Sequence, residues 1–220
     1  DVRFEHVIFQ NNSGILGGAI HATNSNATFN STQFLMNTAK LHGGAIMLVN
    51  SDAVFNGCTF IRNNVSTDPA NLAGTGGAVY FVGVNDLTIL DSEFIDNEAE
   101  ISGGAVFMDL NSNSGLKKLR GHFKGNHATG QGGAMHVTGQ RLDLLNVLDC
   151  EFTGNSAFSG WGGAFFGTDT VGTVYFQRTT FTNNIALSSY TNTGHGGAVM
   201  VASGFNMNMY DCSFTNNSAL

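Results

Sequence analysis

Apolar and polar residues alternate along this chain in short bursts, and the bursts recur. One round reads FQNNSGILGGAIHA from Phe9 to Ala22, and the next reads FLMNTAKLHGGAIML from Phe34 to Leu48. Phe-x-x-Asn begins at Phe9, Phe34, Phe60, Phe94, Phe123, Phe152, Phe181 and Phe214, with spacings of 25, 26, 34, 29, 29, 29 and 33 residues. Gly-Gly-Ala begins at Gly17, Gly43, Gly76, Gly103, Gly132, Gly162 and Gly196. A motif recurring at this interval specifies one turn of a solenoid with loops of variable length. No segment has a helical period, and the wealth of Ile, Val, Phe and Thr favours strands.

Aligning the rounds on Phe sorts the side chains by direction. Two residues earlier stand small groups: Val7, Thr32, Cys58, Ser92, Gly121, Cys150, Thr179 and Cys212. Five earlier stand Phe4, Phe29, Phe55, Ile89, Lys118, Val147, Phe176 and Met209, and seven earlier come residues such as Ala27, Leu87, Leu116 and Leu145. After Gly-Gly-Ala, pairs such as Ile46/Leu48, Val79/Phe81 and Met135/Val137 are spaced by two, as inward faces of a strand are. These rows predict an all-β chain: a right-handed, single-stranded parallel β-helix of seven to eight coils, with three short strands per coil. Phe fills its core. Asn three residues later sits at a bend, where its amide bonds the coils on either side. Gly-Gly supplies torsions or a close approach that a Cβ forbids.

The paired motifs FxxN and GGA[I/V/M/F] resemble the repeats of chlamydial polymorphic outer membrane proteins, which also occur in surface proteins of algae and protists. The resemblance runs the length of the chain. It implies an extracellular or cell-surface β-helical passenger or stalk, often adhesive. Residues 1–220 open and close inside a repeat, and are read as a single β-helix segment of a longer protein.

Composition narrows the function. Only 11% of residues are charged and the net charge is −7, so no basic run exists to track phosphates and nucleic acid is excluded as a partner. No apolar run approaches the ~20 residues that span a bilayer, so the segment is not itself membrane-spanning.

Candidate chemistry is sparse. Cys58, Cys150 and Cys212 share the small inward slot, and the last two stand about 9–10 Å apart, two strand spacings. That exceeds the ~7 Å Cα limit for a bridge, so buried free thiols are expected. Three residues before Phe, successive coils present Asp91, Arg120, Asp149, Arg178 and Asp211. Alternating signs predict a salt-bridge ladder that holds register. A polysaccharide lyase or hydrolase of the β-helix type instead clusters like-charged carboxylates around a cation. His21 and His136, and likewise His42 and His195, lie too many coils apart to share a metal, so neither metal nor cofactor is expected. Sequons at Asn11, Asn26, Asn30, Asn64 and Asn216 mark candidate glycosylation sites, though 25 Asn with 36 Ser and Thr give about four by chance.

The slot after each Gly-Gly-Ala-x points outward yet is apolar or aromatic: His21, Met47, Tyr80, Phe107, His136, Phe166 and Met200. Beside it runs the row Ala19, Ala45, Ala78, Ala105, Ala134, Ala164, Ala198. An apolar stripe of this length is covered by something. Loops of the same chain (64–75 and 185–195), another protein chain or further domain, or cell-surface glycans are the candidates. The reading is a structural or adhesive, non-catalytic segment acting in surface attachment or lateral assembly. Its rivals are the lyase or hydrolase, and a carbohydrate-binding module stacking sugars on Tyr80, Phe107 and Phe166.

Overall fold

Phe34 shows how the repeat becomes a solid. Its ring stacks on Phe9 at 5.0 Å and on Phe60 at 4.7 Å, nearly parallel to both. The column continues through Phe94, Phe123, Phe152, Phe181 and Phe214 with centroids 4.7–5.0 Å apart. That spacing is the ordinary distance between hydrogen-bonded strands, so each ring belongs to one coil. A second column, Phe4–Phe29–Phe55, meets the first edge-on, an arrangement aromatic rings favour.

The computed structural model describes residues 1–66, 74–83, 86–110, 116–158, 160–168, 171–188 and 194–220. Among them there is no helix, and every strand pairing is parallel. Three sheets of 14, 8 and 7 strands run the length of a β-solenoid with seven full coils and the opening strands of an eighth. In the second coil, Ala27–Asn30 and Gln33–Leu35 belong to the first sheet, Thr38–His42 to the second and Ile46–Val49 to the third. Like residues face like across coils: Phe29 with Phe55, Phe34 with Phe60, Ile46 with Val79.

The coil turns by single residues in the left-handed region. One stands three before Phe (His6 φ 54°, Ser31 φ 45°, Asp91 φ 49°) and one two after it (Asn11 φ 56°, Met36 φ 53°, Asp96 φ 52°). The first glycine of Gly-Gly-Ala makes another, as Gly103 does at φ 65°. The second glycine is needed for space: a Cβ on Gly104 would lie 2.1 Å from the Gly133 carbonyl oxygen. Left-handed torsions at non-glycine residues cost about 1–2 kcal/mol each. The stacked ladders over-determine them.

Asn37, Asn63, Asn97, Asn126, Asn155 and Asn184 are wholly buried at the bend after Phe. Each side-chain amide ties three coils. Asn63 Nδ2 donates to the Phe34 carbonyl behind it at 2.9 Å and to Asn97 Oδ1 ahead at 3.0 Å. Asn63 Oδ1 accepts from the backbone N–H and Nδ2 of Asn37, both at 3.0 Å.

The structure corrects the sequence reading in three places. The segments before and through Phe share one sheet, and the strand lost from view is the short one after Asn. That strand places Ala39, Val65, Ala99, Ala128, Ala157 and Ala186 inside, all fully buried. Second, Lys117 and Leu119 point inward in the fifth coil, while Leu116 is 54% exposed and Lys118 half-buried. Arg120 has no left-handed torsion there, and the pairing slips between Ile89 and Ser92. The fifth coil is thus one residue short at that corner, which shifts every position before the corner when counted back from Phe123. Third, the Ala45–Ala198 row packs into the main core rather than beside an outer stripe.

Candidate functional site

The seven residues of the stripe do line one face of the third sheet, in strict register from His21 through Met47, Tyr80, Phe107, His136 and Phe166 to Met200. The middle of that face is not bare. Met47, Tyr80, Phe107, His136 and Phe166 are 9% exposed or less, Met200 is half-buried, and only His21 is exposed. Met47, Tyr80 and Phe107 form a second small core, with Leu16, Val49 and Val82 packed against it. Rings from the position before Gly-Gly fold over its edge. His42 lies on Tyr80 at 4.4 Å, and Trp161 stands 5.7 Å from Phe166. His42 Nδ1 is fixed by the Thr75 hydroxyl at 2.8 Å. Of the loops expected to act as covers, residues 67–73 and 189–193 lie outside the described residues. Tyr80, Phe107 and Phe166 are therefore not open platforms for sugar rings.

Burial sets the electrostatics of this face. The Tyr80 hydroxyl is pushed up to about 12, by burial first and by the Asp109 carboxylate second. Asp109 itself is raised by burial. His136 lies between Phe107 at 4.7 Å and Phe166 at 4.8 Å, edge to face with both. Neither of its ring nitrogens has a hydrogen-bond partner. Burial pushes the imidazole down to about 3, so it is neutral at physiological pH.

The corner charges form pairs. Arg120 donates to Asp91 at 2.6 Å, and Arg178 donates to both carboxylate oxygens of Asp149 at 2.6 and 2.9 Å. The hydrogen bond from Arg178 lowers the Asp149 carboxyl, and the bond to Asp91 raises the Arg120 guanidinium. A related ladder on another corner escaped the sequence reading. Asn26 Oδ1 accepts from the Asp52 N–H at 3.1 Å, Asp52 Oδ1 from Asp86 at 2.9 Å, and Asp86 Oδ1 from Leu116 at 2.9 Å. Its signal was an Asn or Asp (Asn26, Asp52, Asp86) one residue ahead of the inward Ala27, Ala53 and Leu87 in the second to fourth units.

Cys58, Cys150 and Cys212 carry no disulfide. Cys58 and Cys150 are buried, and burial raises both thiols, Cys150 to about 12. Cys212, in the eighth coil, is only half-buried. Among the sequons, Asn11 and Asn216 are exposed at left-handed corners and Asn26 is exposed, whereas Asn30 and Asn64 are half-buried. Among the described residues, no three His, Cys, Asp or Glu side chains converge to hold a metal ion. No helix is long and apolar enough to cross a membrane.

No curated protein matches the chain. Residues 6–23, 149–168 and 178–202 match the Chlamydia polymorphic membrane protein repeat, each stretch holding one Phe-x-x-Asn and one Gly-Gly-Ala. At these three stretches the coils of this solenoid are similar to the repeats of the Chlamydia polymorphic membrane protein family.

Proposed function

We propose that this segment is a rigid, non-catalytic β-helical rod displayed at the outer surface of a cell, with a structural and adhesive role. The observation that carries the reading is the Asn ladder. It runs from Asn12 to Asn217, and each amide from Asn37 to Asn184 is bonded to the coil on either side, which ties neighbouring coils together. A solenoid built this way stacks nearest neighbours into an extended scaffold. The repeat it shares with a membrane-protein family favours display outside the cell.

The burial of Tyr80, Phe107 and Phe166 directs adhesion away from the third sheet, so lateral assembly through the stripe is not part of the proposal. Antibodies raised against the folded segment should label intact cells of the source organism. Labelling only after permeabilisation would overturn surface display. Beads coated with the segment should bind target cells, and adhesion no greater than with uncoated beads would remove the adhesive half.

A further inference from the structure

The fourth to sixth coils concentrate free charge on the outer face of the first sheet. Glu93, His122 and Glu151 stand in register on three adjacent strands, all exposed, in a chain only 11% charged. No side-chain hydrogen bond or ion pair among the described residues engages them or Lys124. Two hollows adjoin along this row and share Glu93 and His122 as walls. One of about 240 Å³ is bounded by Arg120, Gly121 and Asp149, and one of about 390 Å³ by Lys124 and Glu151.

The shortened corner of the fifth coil accounts for the first hollow. With one residue fewer there, the backbone is drawn against the fourth coil, so that a Cβ on Gly121 would lie 2.3 Å from the Ser92 carbonyl oxygen. Arg120 lies on the wall of this dent, its guanidinium partly exposed and paired to Asp91. Exposed donors and exposed acceptors thus line one trough parallel to the solenoid axis.

We propose that this trough binds a neutral or amine-bearing glycan laid along the axis, one pyranose per coil. Sugar hydroxyls donate and accept at once, which matches a lining of carboxylates interleaved with Arg120, His122 and Lys124. Carboxylate-to-hydroxyl bonds are charge-assisted and carry the affinity. Coils repeat about every 4.8 Å, close to the length of a pyranose ring, so successive sugars meet Glu93, His122 and Glu151 in turn. The excess of carboxylates and the net charge of −7 disfavour sulfated or uronic chains.

The site goes beyond display at the surface, and its test needs no cell, so the two proposals fail separately. The purified 220-residue chain is titrated calorimetrically with chitotetraose, the glucosamine tetramer and a heparin tetrasaccharide. One of the first two should bind. The double variant Glu93→Gln/Glu151→Gln should weaken that binding about tenfold or more, the loss of about one charge-assisted bond. Glu98→Gln, an exposed acid on the second sheet, should leave it unchanged. Circular dichroism confirms that the variants fold. No binding of either sugar, binding that survives the double substitution, or tighter binding of the heparin fragment overturns the proposal.

Discussion

Asn63 and Asn97 bond each other through the core of the solenoid: Nδ2 of Asn63 donates to Oδ1 of Asn97 at 3.0 Å, and neither residue is exposed to solvent. The same oxygen takes the backbone N–H of Asn63 at 3.0 Å. Asn97 Nδ2 reaches back to the Phe60 carbonyl and forward to Asn126 Oδ1, both at 3.0 Å. Two donors and two lone pairs are thereby fully used. No other side chain has both at this reach.

Asn97→Ala strips partners from the Asn63 N–H, the Asn63 amide and the Phe60 carbonyl, all shielded from water. A buried polar group left unpaired costs about 1–3 kcal/mol, and the three share one network, so about 3–5 kcal/mol in total is expected. Asn12→Ala should cost less, since Asn12 is exposed on the first coil. Urea unfolding of both variants checks the order. Equal losses would mean that the ladder does not hold the middle coils.

The Asn and Phe ladders were legible in the sequence for a physical reason. A coil stacks only if each unit presents the same atoms at the same height, so the side chains that bridge coils must recur. The short second sheet was illegible because its strands are two to five residues long and mix Thr, Asn, Glu, His and Ser outside with a single small residue inside. Lys118 was misplaced because a count from Phe123 is blind to a residue missing at the intervening corner. The covering of Tyr80 and Phe107 was hidden because neighbours such as His42 and Val49 lie outside the repeating slot that defines the stripe.

The thiols should separate by position. Cys58 and Cys150 are shielded, and burial keeps both protonated well above neutral pH. Cys212 is half-buried. A bulky maleimide should label Cys212 first, with Cys58 and Cys150 reacting only after unfolding, as read by intact-mass and peptide spectra. Labelling of Cys150 in the folded chain as fast as Cys212 would contradict the buried inward slot.

Arg120 is bonded to Asp91, and Asp149 stands one coil further on. Arg120→Glu removes the bond and sets three acids in a column. The melting temperature should fall modestly at low salt and recover as salt shortens the reach of the repulsion. A loss independent of salt would assign the effect to packing of the Arg stem at the shortened corner.

His136 supplies the test of the covered face. Its ordinary value in the unfolded chain is 6.5, and burial lowers it to about 3 in the fold. Between these values the unfolded chain binds a proton that the folded chain refuses, so stability falls as pH drops through that window and is intact above it. The slope is at most about 1.4 kcal/mol per pH unit for one proton. His136→Phe removes both unpaired nitrogens and puts a third phenyl between Phe107 and Phe166, an apolar exchange of similar shape that is neutral or stabilising. Urea unfolding at pH 7, 6 and 5 should give a flatter profile for the variant, with its advantage growing toward acid. His42 and His127 are also lowered by burial but are common to both proteins, so the difference reports His136 alone. Parallel profiles would show that His136 takes up its proton without hindrance, and that the third sheet is open to water after all.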